Sequence, residues 1–77
     1  MNDTHLIIST SNDLLRIAAS HIIYIQADGN YCNIFQTGGE MKTVTLQLGQ
    51  IIHMIDKLSW KFVRIGKSLI VNRRYVY

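Results

Sequence analysis

A mainly β, antiparallel fold with one short α-helix is predicted. Three observations predict it. The 77 residues include twelve Ile, four Val and five Thr, β-branched side chains that suit a pleated, half-buried surface. Proline is absent, so no residue breaks a strand ladder for want of an N–H. One stretch alone changes hydrophobic period from two to 3.6, which leaves too few helices for alternating βαβ units.

Each element can be justified in order. Residues 6–9 (Leu-Ile-Ile-Ser) read as a first strand, and Ser11, Asn12 and Asp13 as a turn whose side chains bond nearby backbone. Residues 14–17 return, suggesting a hairpin. Residues 22–27 form a third strand, apolar on both faces around Tyr24. Asp28-Gly29-Asn30 is a turn in which glycine can take a positive φ. Residues 31–36 alternate and pair with the strand before them. Thr37-Gly38-Gly39 turns the chain into a strand over 40–45, with Val44 and Lys42 on one face and Met41, Thr43 and Thr45 on the other. Leu48, Ile51, Ile52 and Ile55 then fall at i, i+3, i+4 and i+7, one face of a helix. Thr45 is the expected N-cap, and Lys57 suits the negative end of the helix dipole. After Leu58-Ser59-Trp60, residues 62–65 make a strand, Gly66-Lys67-Ser68 a break, and 69–71 a further strand. Asn72-Arg73-Arg74 leads toward an optional last strand at Tyr75-Val76-Tyr77.

Composition narrows the function. The chain is one domain over residues 1–77, with little margin for a self-sufficient core at this length. A single cysteine excludes an internal disulfide and fits a reducing compartment. The first residues lack a signal-peptide layout and no apolar run nears a membrane span, so a cytoplasmic address is expected. Net charge is +3 and uneven: six of the eight cations lie between Lys57 and Arg74, with no acid after Asp56. A cationic segment of this kind attracts polyanions; a solvated basic surface without a partner accounts for the same composition.

Catalysis is not expected. His5, His21, His53 and Cys32 lack the short paired spacings of a zinc site, and His53 falls beside the apolar helix face, toward solvent. Cys32 has no neighbouring histidine in sequence and reads as a small buried hydrophobe. The five acids, Asp3, Asp13, Asp28, Glu40 and Asp56, are few and several serve turns. Gly38-Gly39 lacks the Lys-Ser/Thr that completes a phosphate loop. No cofactor is expected.

Two loop stretches carry the sharper signal: Asp28-Gly29-Asn30-Tyr31, and Arg64 to Ser68 continuing to Asn72-Arg73. Lys and Arg neutralise phosphates; Ser, Asn and Tyr bond phosphate oxygens; Lys and Asn reach base edges. The plain alternatives are an ordinary hairpin turn and a cationic β-break with Asn72 bonding its own backbone.

These stretches stand within "IIYIQADGNYCNIF", "TVTLQLGQIIHMI" and "FVRIGKSLIVNRRYV". From about Ile22 to Val76, the sequence resembles the LytTR-type DNA-binding domain, an output domain of bacterial response regulators. The resemblance implies an elongated antiparallel β domain of small stacked sheets with one short α-helix, which binds double-stranded DNA through inter-sheet loops entering successive major grooves, with pairs of domains on repeated sites. Carried over by position, Asn30, Tyr31 and Cys32 match one DNA-contacting segment, and Lys67 and Ser68 the second. Arg64, Asn72 and Arg73 match motif positions of a more architectural kind. Two departures stand out. Gly66 replaces a common His, and Lys67 occupies a place where Arg or Asn is frequent, offering a point charge rather than a fork. The family's closing C-terminal strand pair has no counterpart before Tyr77, nor does a receiver domain. Weaker binding, a homodimer or a strand-swapped oligomer is the expectation, and a strand-exchanging interaction module with little DNA binding is the alternative function.

Overall fold

The computed structural model describes residues 5–9, 14–58 and 61–75. In chain order these form β1 (His5–Ser9), β2 (Leu14–Ala18), a 3₁₀ turn (Ala19–His21), β3 (Ile22–Asp28), β4 (Tyr31–Gln36), a second 3₁₀ turn (Thr37–Gly39), β5 (Met41–Val44), α1 (Leu48–Ile55), β6 (Phe62–Ile65), β7 (Leu69–Asn72) and a third 3₁₀ turn (Arg73–Tyr75). The principal extents are 34 × 30 × 25 Å.

Two antiparallel sheets stack. β1 and β2 pair as a hairpin, and the other five strands form a sheet in the order β5-β4-β3-β7-β6. In the hairpin, Leu6 lies opposite Ile17 and Ile8 opposite Leu15, so alternation turns all four to one face. In the large sheet Cys32 pairs with Val44, and Ile25 pairs with both Ile34 and Ile70. That face meets the hairpin and the Leu48, Ile51 and Ile55 stripe of α1 in one core. Strict alternation would send Ile22 and Ile25 to opposite faces. A bulge prevents this: Ile22 pairs with Gln36 and Tyr24 with Phe35, leaving Ile23 as the extra residue. Both isoleucines are therefore fully buried, which is why this strand reads as apolar on both sides in the sequence.

The opposite face of the large sheet follows from the same registers. One transverse row runs Met41, Phe35, Tyr24, Val71, Val63. The next runs Thr43, Asn33, Gln26, Leu69, Ile65. Tyr24 and Phe35 stack with centroids 4.4 Å apart, and the Thr43 hydroxyl donates to Asn33 Oδ1 at 2.8 Å. No described element packs over these rows.

Two local expectations are corrected. Thr45 is not the N-cap. Gln47 holds that position in a capping-box arrangement with Gln50: Gln50 N donates to Gln47 O at 3.0 Å, and Gln50 Oε1 accepts from Gln47 N at 3.0 Å. Thr45 is too far upstream once Leu48 opens the helix, since a cap reaches only the first orphan N–H groups. The optional last strand is also absent at Tyr75. Asn72 Oδ1 accepts the Arg74 N–H at 3.0 Å, and the Tyr75 hydroxyl donates to Ser20 O at 2.6 Å, which curls the chain into a 3₁₀ turn. The turn at Ser11, Asn12 and Asp13, the exit through Ser59 and Trp60, and Val76-Tyr77 lie outside the described residues.

Candidate nucleic-acid interface

Strand direction decides where the predicted site residues go. β3 runs toward Asp28, reverses through Gly29 and Asn30, and returns as β4 from Tyr31, which pairs with Asp28. Gly29 has φ +62°, so the two-residue reversal fits the II′ pattern with glycine first. β7 is antiparallel to β3, with Leu69 opposite Gln26. Its N-terminal end therefore lies at the same end of the sheet as the β3–β4 turn. The β6–β7 turn, Gly66-Lys67-Ser68, closes from the Ile65–Leu69 pair with Gly66 at φ +65°. Ala27 N donates to Ser68 O at 2.8 Å, which ties the second turn to the end of β3.

Asn30, Tyr31, Lys67 and Ser68 thus share one rim, and all four are exposed. In the strand order the two turns are separated by two strand spacings, about 10 Å. Successive grooves of B-DNA are about 34 Å apart, more than three times the separation of the two turns. The successive-groove expectation is not met by these two turns within one chain.

Three predicted residues lie elsewhere. Cys32 is fully buried on the core side, and burial raises its thiol pKa above the ordinary value; it offers no surface to a ligand. Arg64 is exposed on edge strand β6, two residues before the turn, opposite buried Ile70. It stands beside the rim rather than on it. Arg73 sits at the far end of the sheet, where its N–H donates to Lys61 O at 3.1 Å. Six residues separate it from Lys67, roughly 20 Å of extended chain. The basic stretch is therefore split. It is continuous in sequence, but the β6–β7 hairpin doubles it back and delivers Lys67 to one end of the sheet and Lys61, Arg73 and Arg74 to the other.

Sequence reasoning missed two features. The link from Thr45 to Gln47 opens at the same rim, because Val44 lies opposite Cys32 at the end of β5; it carries no charge, and charge was the signal followed. Asn72 reaches well beyond its own neighbourhood. Its Nδ2 donates to Ile22 O at 2.8 Å and Ala19 O at 3.3 Å, pinning the β2–β3 connection. Only the Arg74 bond is local, and a side chain opposite Phe62 in a strand gives no sequence sign of such reach.

The model of the LytTr DNA-binding domain family matches residues 12–77. The chain belongs to this family. LytTr domains are DNA-binding domains, not an enzyme family, and among the described residues no group of three His, Cys, Asp or Glu could hold a metal. A solved relative, the LytTr DNA-binding domain of a Bacillus cereus protein described as a methyl-accepting/DNA response regulator, superposes with a TM-score of 0.72 at 17% identity. The match covers 97% of this LytTr chain and 66% of that one, so the chain spans about two thirds of the relative's length. At that identity the likeness concerns the fold. The curated proteins contain no match to the sequence. No described helix is long and apolar enough to cross a membrane.

Proposed function

We propose that this LytTr chain is a sequence-specific duplex-DNA-binding module of a bacterial transcriptional regulator, the output domain of a cytoplasmic two-component response regulator. One observation carries the reading: the β3–β4 and β6–β7 turns emerge at one end of the sheet, about 10 Å apart. That spacing suits a major groove about 12 Å wide. Asn30 and Tyr31 supply hydrogen-bonding groups to base edges or phosphates, and Lys67 supplies charge for the backbone. Ser68 adds a hydroxyl beside it, and Arg64 reaches a flanking phosphate from β6. Arg73, at the far end, makes no contact with the same groove. Without a recognition helix, register is set by the rigid sheet behind the turns.

The experiment is titration of duplex selected from random DNA, repeated across salt concentrations. With Arg64 and Lys67 as the rim cations, two neutralised phosphates give a slope of log K against log salt of about −2. A salt-independent affinity, or no selected sequence at low salt, overturns the reading.

A second reading, self-assembly, is favoured by the open edges of the large sheet. β5 and β6 each lack a partner on one side among the described residues, and unpaired edges accept strands from another chain. A homodimer or strand-swapped oligomer is compatible with DNA binding, since two copies occupy a repeated site.

A further inference from the structure

Among the described residues, the two ends of the five-stranded sheet differ in charge. At and beside the rim stand Arg64, Lys67 and Asp28, the last closing β3 opposite Tyr31. Their side chains leave one net positive charge. At the opposite end, Lys61 and Arg73 continue past the Phe62–Asn72 pair, and Arg74 follows. All three are exposed. Glu40 shares this end, one residue beyond the Met41–Phe35 pair. It stands three strand spacings from β7, about 14 Å, which exceeds the screening length of about 8 Å at physiological salt. Asp56, at the C-cap of α1, is offset by its neighbour Lys57. The stronger attraction for a polyanion therefore lies at the end away from the rim.

The fold holds this cluster in place. Arg73 N donates to Lys61 O at 3.1 Å, a backbone bond that sets the two cationic residues side by side. Arg74 N donates to Asn72 Oδ1, Asn72 Nδ2 donates to Ile22 O, and the Tyr75 hydroxyl donates to Ser20 O. The 3₁₀ turn bearing both arginines is thereby tied to the start of β3, and charges on a fixed base lose less freedom on binding than charges on a mobile tail. The surroundings select the partner. A protein interface has an apolar centre depleted of lysine. Of the exposed large hydrophobic residues, Met41 is three strands from β7 and Val63 lies one residue inward of Phe62, so neither sits among the three cations. Duplex phosphates need no apolar centre: they are contacted by solvated Lys and Arg.

We propose that the sheet end formed by Lys61, Arg73 and Arg74 is a second, sequence-independent surface for duplex phosphates, so that one chain holds two duplex segments, one at each end. The far-end surface stands by itself; the bridging rests on the function proposed above. Roughly 20 Å of extended strand separates the two ends. A duplex of about 20 base pairs is short against a persistence length of about 150 base pairs, so one seated on the rim does not bend round to the other end. A second segment takes that place. Charge divides the labour. The rim, with one net charge, gains little from phosphates alone and depends on base edges. The far end, with three cations close together, holds phosphates of any sequence.

The test immobilises a duplex carrying a selected site, loads the 77-residue chain and measures capture of a fluorescent duplex of unrelated sequence, about 20 base pairs long. The expected result is capture that weakens with salt at a slope of about −2.7, three phosphates' worth. The double variant Lys61→Glu, Arg73→Glu lowers capture about tenfold or more, with unchanged circular dichroism and with binding to the immobilised site within twofold. Arg16→Glu with Lys42→Glu carries the same change in net charge at exposed positions on β2 and β5, and it lowers capture less than threefold. Titrating the unrelated duplex against the chain alone tests the surface even if no selected site exists: the first double variant loses affinity there, and Lys67→Ala keeps it within twofold. Failure of site selection with this result intact sinks the rim reading alone. No capture at about 50 mM salt, equal losses in the two charge-matched variants, loss of capture in Lys67→Ala at equal site occupancy, or tighter binding of poly-L-glutamate than of duplex overturns the proposal.

Discussion

Replacing Asn72 by alanine tests the packing logic most directly. The side chain is 1% exposed and makes three hydrogen bonds: Nδ2 to Ile22 O and Ala19 O, and Oδ1 from Arg74 N. At about 1 kcal/mol net for each, with the usual spread, truncation costs roughly 2 to 4 kcal/mol. The whole domain is held by about 4 to 12 kcal/mol at this length, so a large share is lost and Tm falls by about 10 to 25 °C. Urea unfolding followed by circular dichroism measures it, with an unchanged slope confirming the same unfolding reaction. Asn72→Asp sharpens the test. It keeps the shape and the acceptor for Arg74 N but aims a carboxylate at two carbonyl oxygens, which raises its pKa above about 3.9. A raised folded pKa places the extra loss at higher pH. The variant is least impaired near pH 4 and loses stability as pH rises through its folded pKa. An alanine variant within 0.5 kcal/mol of the parent, or an aspartate variant insensitive to pH, refutes the assignment.

The remaining predictions concern the rim and the core. Lys67→Ala lowers one-site DNA affinity by about tenfold and flattens the salt slope by about 0.9, whereas Arg73→Ala leaves both within twofold; equal effects of the two in electrophoretic titration would reverse the placement of the site. Gly66→Ala costs about 1 kcal/mol because its φ of +65° is unfavourable for a Cβ, and Gly66→Asn costs less; no neighbour lies within 4 Å of the added carbon, so an equal loss in thermal unfolding would point to a clash instead. Cys32 resists an aromatic disulfide reagent in native buffer and reacts once urea unfolds the chain. Its folded pKa is raised above the ordinary 9.0 by burial, so its contribution to stability is intact below that pH and is lost as pH rises beyond it; rapid stoichiometric labelling of the native protein would contradict the burial.

Much of the fold was legible because local signals agreed with one another. Period-two runs bounded by Gly29, Gly38-Gly39 and Gly66 locate β3 to β7, and the stripe from Leu48 to Ile55 locates α1. The N-cap was misplaced because a Thr favoured by rank stood near a Gln pair whose three-residue spacing completes a capping box. The bulge at Ile23 was invisible because it is defined by the partner strand, not by its own residues. For the site, the two turns were legible from glycine and polar side chains. The division of the cations was not, because sequence proximity ignores the reversal that sends Lys67 and Arg73 to opposite ends. Cys32 went astray for a similar reason: it adjoins exposed Tyr31, but alternation turns it into the core.

The reversal that splits the cations also bears on how much DNA one copy can read. Two turns about 10 Å apart match the width of one major groove, and the far-end cations are roughly 20 Å of extended chain away. On the proposed function, a second copy of this 77-residue chain reads a second groove, with its rim one helical turn away on the same side of the duplex. Selected sites should then contain two half-sites about 10 to 10.5 base pairs apart, centre to centre. Inserting about half a turn between them rotates the second rim to the opposite side, so cooperative occupancy disappears while each half-site binds as before. If a duplex with the half-turn insertion binds two copies as cooperatively as the original, one copy is reading more DNA than its two turns can span, and the far-end cluster of Lys61, Arg73 and Arg74 is where the extra contact would have to come from.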